Sequence, residues 1–166
     1  MNGVNCIKMA MEMNNNMTMG LIDDMKDAPL TFPTSKGGSH PLWILGHLTY
    51  SEANLTNHMM LGEDNPLAGW KEIFGEGTTP SDDASLYPPI GEIFAKAAEI
   101  RENTLKLLNS LSDEDLDKPA IGCPEDQKDF FGTYAQCLTI VALHSMMHRG
   151  NVADSRRMLG RAPLMA

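Results

Sequence analysis

The 166-residue sequence predicts an all-α protein, a four-helix bundle forming a single domain over residues 1–166. Four stretches of about 20 residues carry apolar side chains at the three- and four-residue spacing of amphipathic helices. The alternating apolar and polar runs that are typical of strands are absent. Segments rich in Gly, Pro and Asp separate the four stretches, as loops between helices do.

The first two helices have recognisable boundaries. A broken helical period predicts the first helix over residues 4–26, before a loop that contains Pro29. Ser39 is a plausible N-cap of the second helix, and Pro41 lies in its first turn, where proline is tolerated. The helical pattern then continues to Gly62, a residue typical of helix C-termini.

Residues 62–88 form a long connection that is rich in Gly, Pro and Asp. Connections of this length inside a compact domain are usually functional or disordered. Trp70, Phe74 and Tyr87 favour an ordered loop that packs against the helices. We expect this loop to control access of water to any site that it covers.

The third and fourth helices follow the same reasoning. Apolar spacing predicts a third helix over residues 89–110, and a polar connection follows with one possible helical turn at 112–116. The fourth helix is predicted over residues 133–159, with Thr133 as its N-cap and Gly160 as its stop.

Composition excludes several classes of function. Thirteen Lys and Arg against 22 Asp and Glu give a formal net charge of −9. No basic patch compensates for this charge, so nucleic-acid binding is not expected. The three cysteines share no C-x-x-C spacing, which argues against a disulfide framework and a cysteine-based zinc site. The sequence shows neither a secretion signal nor an apolar run long enough for a membrane span, and we expect a cytoplasmic protein.

The histidines are the strongest chemical signal. His144 and His148 are four residues apart and therefore share one helix face, but Ser145 stands where the zinc-protease motif H-E-x-x-H has glutamate. His47 lies in the middle of the second helix, where it can join this pair. His40 and His58 share its stripe, but helical rise separates His47 and His58 by roughly 16 Å. Both lie near the ends of the helix, so we expect them to meet solvent and not to be ligands.

Two interpretations of these histidines remain open at this point. Three neutral imidazoles with one open position are the pattern of a catalytic zinc site. Core histidines that each make one hydrogen bond would give the same spacing, and spacing alone does not bring the three residues together.

Two motifs carry a resemblance to a known family. "HPLWILGHLTYSE" in the second helix and "ALHSMMHRGNVADSRRMLGRAP" in the fourth resemble the DinB-like superfamily, which includes YfiT-like metal-dependent hydrolases and thiol-dependent transferases. The resemblance extends over about residues 5–162. It implies an up-down-down-up bundle, a homodimer, and one nickel or zinc ion held by His47, His144 and His148. It further implies a small-molecule substrate, with hydrolysis or transfer of a low-molecular-weight thiol as the reaction.

The sequence departs from the family pattern at Ser145, where many members carry an acidic residue, and no catalytic residue is assigned. Four polar residues share the histidine faces and could orient ligands or water, although solvated or capping roles are the simpler interpretation: Ser51, Asn54, Asn151 and Ser155. Arg149 is expected to form an ion pair with a neighbouring helix. Cys137 is expected to be a small core residue rather than a ligand.

Two further expectations concern partners and the alternative function. The third helix is apolar over more than one face and is the expected homodimer surface, through Ile90, Ile93, Phe94, Ala97, Ala98 and Ile100. The alternative to an enzyme is a non-catalytic metal-binding bundle with a structural or stress-related role. The absence of an acidic residue at position 145 favours this alternative slightly.

Overall fold

The protein is described by a computed structural model over residues 2–32 and 38–164. Within these ranges the chain forms six α-helices and no β-strand, which confirms the predicted all-α class. The helices are α1 (Gly3–Asp23), α2 (Pro41–Ala53), α3 (Lys71–Phe74), α4 (Ile90–Ser110), α5 (Lys128–Phe131) and α6 (Tyr134–Met158). The four long helices correspond to the four predicted stretches, while α3 and α5 are single turns in the connections.

Helix α1 is shorter than predicted at its C-terminus. It begins at the N-cap Asn2, whose side chain accepts a hydrogen bond from the Asn5 amide. After Asp23 the amides of Met25 and Lys26 bond to carbonyls three residues earlier instead of four. The chain therefore tightens into turns and leaves the α-helix before residue 26.

The N-cap of α2 is His40, so the prediction of Ser39 was wrong. His40 has an extended backbone, and its Nδ1 accepts a hydrogen bond from the Trp43 amide. Side chains are buried around nearly the whole circumference of α2, as is typical of a helix in the middle of a core. The helix continues without interruption as a π-helix over Asn54–Met60, and Gly62 with its positive φ of 70° ends it as predicted.

The long connection between α2 and α4 is ordered and packed, as its aromatic residues predicted. Phe74, at the end of α3, is completely buried, and Leu67 and Tyr87 are buried as well. Short 3₁₀ turns at Ala68–Trp70 and Ala84–Leu86 supply much of its remaining regular structure. This connection lies against the first half of α2 and brings its backbone close to His47.

The remaining boundaries agree closely with the sequence. Helix α6 begins with a capping box in which Thr133 and Gln136 satisfy each other's backbone amides, and Gly160 follows its end with a φ of 72°. The helical turn predicted at 112–116 is a 3₁₀ turn over Glu114–Asp117.

The long helices bury two apolar clusters at opposite ends of the molecule. Helix α1 packs along α6, and α2 packs against both α4 and α6. The first cluster includes Ile22, Ile44 and Ile93, and the second includes Leu108 and Leu138. His47 lies beside Trp43 and Phe74 of the first cluster.

The apolar residues of α4 do not form the expected exposed surface. Ile93 is completely buried and Ile100 is nearly so, because both belong to the first cluster, while Ala98 is exposed. Ile93 and Ile100 are therefore unavailable for contact with a second copy, and homodimer formation stays a prediction. None of the described helices is long and apolar enough to span a membrane.

Candidate metal centre

His47, His144 and His148 meet between α2 and α6. The Nε2 atom of His144 lies 3.2 Å from Nε2 of His47 and 3.1 Å from Nε2 of His148. One ring nitrogen from each of the three histidines lies within 4.8 Å of the other two. The cluster that spacing alone could not assemble is therefore present in the fold.

The position of His47 depends on the connection between α2 and α4. Its Nδ1 donates a hydrogen bond to the backbone carbonyl of Phe74 over 2.7 Å, so Nε2 of the neutral ring carries a lone pair directed at the other histidines. Trp43 stacks on the same ring with centroids 4.4 Å apart. The Trp43 indole is in turn held by the Ile73 carbonyl, 3.0 Å from its Nε1.

Gly46 allows this arrangement to form. A Cβ atom at this position would overlap the ring of Phe74. Because only glycine lets Phe74 pack this closely on α2, Gly46 brings the Phe74 carbonyl within reach of His47. The glycine before the histidine in the motif "GHL" thus acts on the cluster through packing.

Burial keeps the three imidazoles neutral. It is the main cause of the lowered pKa of each ring, and the mutual repulsion of neighbouring imidazolium charges adds to it at His144 and His148. The pKa of His144 falls to about 3 and that of His148 to about 4. The rings are therefore uncharged at neutral pH, and only a neutral imidazole can bind a metal ion.

The geometry fits a divalent metal ion. A tetrahedral ion with nitrogen ligands at 2.0–2.1 Å separates those nitrogens by about 3.3 Å, close to the two short distances of the cluster. Protons alone satisfy the cluster poorly in either tautomer of His144: a proton on Nε2 could be donated to only one of two neighbouring acceptors, and a proton on Nδ1 leaves lone pairs facing each other. Three lone pairs that converge in a buried site are the donor set that zinc and nickel accept.

The two other histidines of the α2 stripe lie outside the cluster, as predicted. His58 is exposed and contacts the Glu63 carbonyl. His40 was expected to meet solvent, but this was wrong, because it is completely buried. Its Nδ1 accepts a hydrogen bond from the Trp43 amide, and its Nε2 donates one to the Ser81 carbonyl over 2.9 Å. Both ring nitrogens are therefore hydrogen-bonded within the protein.

The polar residues considered as orienting groups make no hydrogen bond to the three histidines within the described chain. The Ser155 hydroxyl donates to the Phe32 carbonyl, and Asn54 accepts from Asn65. The guanidinium of Arg149 lies 3.3 Å from the sulfur of Met17 and has no carboxylate partner in the described ranges, so the expected ion pair was wrong. Ser51 and Asn151 are half-buried without an assigned role.

Cys137 behaves as the core residue that the sequence predicted. It is completely buried, and its thiol donates to the Phe131 carbonyl over 3.3 Å. Burial raises the pKa of this thiol to about 12, so it remains protonated and is a poor ligand at neutral pH.

Sequence reasoning missed the groups that surround the histidines. The Phe74 carbonyl belongs to the backbone and has no signature in the sequence, although the aromatic residues of the connection did indicate packing. Trp43 precedes His47 by one helical turn, and this spacing could have predicted their stacking. The buried pair of Glu52 and Arg101 could not be found without the register of α2 against α4.

Comparison with known families agrees with this arrangement. The family model of the DinB superfamily matches residues 10–152, which is most of the chain. The chain belongs to the DinB superfamily. The match includes α2 and most of α6, and hence all three histidines of the cluster. Among curated proteins, none matches this DinB-superfamily chain.

Proposed function

We propose that this DinB-superfamily protein binds one divalent metal ion through His47, His144 and His148 and uses it on a small-molecule substrate. The observation that carries the proposal is the convergence of three neutral imidazoles, with Nε2 separations of 3.1 and 3.2 Å. Burial and lowered pKa values keep His144 and His148 neutral at neutral pH, so a metal ion can bind them without first displacing a proton.

The fold that we infer is one domain, an up-down-down-up four-helix bundle. In support, Asn14 and Thr18 of α1 bond to Ala142 and Ser145 of α6, so residue numbers rise together along these helices. The first apolar cluster joins the end of α1 to the beginnings of α2 and α4, while Leu108, near the end of α4, lies in the second. These contacts fit α1 and α6 running in one direction and α2 and α4 in the other.

We propose hydrolysis, or transfer of a low-molecular-weight thiol, as the reaction. A nickel or zinc ion held by three histidines supplies Lewis acidity, which polarises a substrate and promotes deprotonation of water or a thiol. The chain contributes the ligand set and fixes the ring of His47 through Phe74. An ion held by these three protein ligands would retain a position for the reactant.

A second candidate is a non-catalytic metal-binding bundle with a structural or stress-related role. Ser145 stands where many family members have an acidic residue, and no carboxylate in the described ranges bonds directly to the three histidines. A general base within reach of the substrate is therefore not assigned. This observation favours the non-catalytic candidate, and only a measurement of turnover separates the two.

Metal content of the untagged protein tests the site. His148→Ala removes one of the three imidazoles, whereas His58→Ala removes an exposed histidine of α2 and serves as the matched control. We expect the wild type and His58→Ala to bind one equivalent of nickel or zinc, and His148→Ala to lose it while its helical circular dichroism is retained. Retention of the metal by His148→Ala would contradict the proposed site.

The reaction and the partners need separate measurements. Turnover of a panel of thiol, ester and amide substrates by the metal-loaded wild type, and its loss in His148→Ala, would support an enzyme. A loaded protein that turns over none of them supports the non-catalytic bundle. We also propose that the protein is a cytoplasmic homodimer, and light scattering at micromolar concentration would contradict the dimer by giving the mass of a monomer.

A further inference from the structure

A buried ion pair joins α2 to α4 close to the histidine cluster. Nη2 of Arg101 lies 2.6 Å from Oε2 of Glu52, and the side chains are only 16% and 8% exposed. Burial raises the pKa of the Glu52 carboxyl and lowers that of Arg101, because it penalises both charges. The fold therefore maintains two charges in its core at a cost in desolvation.

The pair leaves part of its hydrogen-bonding capacity unused. Oε1 of Glu52 and both Nε and Nη1 of Arg101 have no partner among the described residues. Buried polar groups in folded proteins are nearly always hydrogen-bonded, to water where the protein offers no partner. A charged pair with three such atoms indicates a role beyond holding two helices together.

The pair borders a cavity of about 30 Å³ between the long helices. This volume accommodates about two water molecules and is too small for an organic substrate. Its polar lining is formed by Asn15, Thr18, Thr49, Glu52, Arg101, His144 and Ser145. One of the three clustered histidines therefore shares a water-sized space with the buried carboxylate.

His144 lacks the support that His47 receives. The Nδ1 atom of His47 donates to the Phe74 carbonyl, whereas Nδ1 of His144 and the buried Nδ1 of His148 have no protein partner in the described ranges. Of these two rings, only His144 lines the cavity that Glu52 borders. Metal-binding histidines almost always donate this second N–H to a carboxylate, a carbonyl or water, which fixes the ring. At His144 the next residue is Ser145, which offers no carboxylate, whereas Glu52 of α2 lines the same cavity.

We propose that Glu52 orients His144 through water held in this cavity, with Arg101 keeping the carboxylate charged. About two water molecules in this space can connect two polar groups on its wall through a short chain of hydrogen bonds. The other polar groups near it already take part in hydrogen bonds: the Thr18 and Thr49 hydroxyls donate to the Ser145 and Leu45 carbonyls, and Oδ1 of Asn15 accepts from Nη2 of Arg101. Oε1 of Glu52 has no partner among the described residues. Glu52 contributes the one carboxylate among the described residues that line the cavity.

Glu52 is thus a positioning residue, which acts on the site from α2 in place of an acidic residue at position 145. The inference rests on the proposed metal site. It predicts that the site loses affinity when the pair is removed, even if the fold gains stability. Replacing a buried ion pair with apolar residues of similar size is often neutral or stabilising, so stability and positioning can be measured separately.

The test is the double variant Glu52→Leu with Arg101→Met, compared with the wild type and with Arg156→Met. Arg156 is also a buried arginine, paired with Asp24 over 2.7 Å at the end of α6, and serves as the matched control. Zinc affinity is measured by competition with a chelator, and the melting temperature is measured on the metal-free protein. Nitrogen-15 NMR of the metal-free protein reports which ring nitrogen of His144 carries the proton.

We expect the double variant to bind zinc about 10- to 100-fold more weakly, without a lower melting temperature. In the metal-free double variant, the proton of His144 should shift from Nδ1 towards Nε2. Arg156→Met should lower the melting temperature and leave zinc affinity unchanged. Wild-type zinc affinity in a folded double variant would overturn the inference.

Two other outcomes are also informative. If the double variant does not fold, Glu52→Gln alone decides through the NMR measurement, and an unchanged His144 proton position then overturns the inference. If the wild type binds no zinc or nickel, the proposed function fails. The NMR comparison still separates that failure from the inference, because it needs no metal.

Discussion

His40 and His47 lie about two turns apart at the beginning of α2, and both are buried with a pKa lowered by burial. They differ in the groups that hydrogen-bond their ring nitrogens. The Trp43 amide and the Ser81 carbonyl satisfy both nitrogens of His40. At His47 the Phe74 carbonyl satisfies one nitrogen, and the other faces two further histidines. Burial is common to both residues. What identifies His47 as the candidate ligand is its Nε2 atom, which faces only the other two imidazoles.

The largest expected effect on metal affinity comes from replacing each of these two residues with alanine. His47→Ala should lower zinc or nickel affinity at least 100-fold, because two imidazoles remain of three. His40→Ala should leave the metal affinity unchanged but destabilise the protein by about 1–3 kcal/mol, since it removes an N-cap and one of the two hydrogen bonds to the Ser81 carbonyl, the other being donated by Tyr87. Metal titration and chemical denaturation of both variants make the comparison.

The reverse result would remove the distinction between the residues. If His40→Ala released the metal as readily as His47→Ala, the rings would belong to one connected site. If neither variant changed metal affinity, the metal would bind elsewhere.

A smaller effect is expected at Gly46, which acts on His47 and not on His40. Gly46→Ala places a methyl group inside the Phe74 ring, and overpacking of this kind costs about 1–3 kcal/mol. Displacing Phe74 also moves the carbonyl that orients His47, so we expect metal affinity to fall about tenfold. Calorimetry and metal titration measure the two effects.

Gly150 supplies the matched control for this substitution. It lies on α6 two residues after His148, and a Cβ atom there meets nothing within 4 Å. Gly150→Ala should stabilise the protein by about 0.5–1 kcal/mol through helix propensity, with unchanged metal affinity. Equal behaviour of the two alanine variants would show that Phe74 does not position His47.

The sequence predicted the helices well because their apolar periodicity and caps are local features. It selected His47 over His58 correctly, since helical rise alone separates them. It misplaced His40 because the burial of this ring depends on Ser81 and Tyr87, which return to it from a distant part of the chain. The carbonyl of Phe74 is equally remote in sequence and carries no residue-type signal. Prediction from sequence therefore failed for the groups that hydrogen-bond a histidine ring from a distant part of the chain.

Acid should weaken the metal-free protein through the cluster. His144 and His148 have folded pKa values of about 3 and 4, below the value of about 6.5 expected in the unfolded chain. Between these limits the unfolded chain binds more protons than the native protein, so stability falls as the pH drops from about 6.5 towards about 4. Replacing His148 with glutamine should make this loss shallower, as measured by urea denaturation across the pH range. Parallel curves for the two proteins would show that His148 does not resist protonation.

The smallest effect on the metal site is expected at Cys137, which resembles His40 in being a buried polar residue that the protein itself completes. Its thiol donates to the Phe131 carbonyl, and its pKa of about 12 keeps it protonated at neutral pH. Cys137→Ala should therefore leave metal affinity unchanged and destabilise the protein by about 1 kcal/mol through lost packing. In the native protein a thiol reagent should modify the exposed Cys6 much faster than Cys137, because the thiolate is the reactive form. Rapid modification of Cys137, or loss of metal in Cys137→Ala, would place a fourth potential ligand on the face of α6 that carries His144.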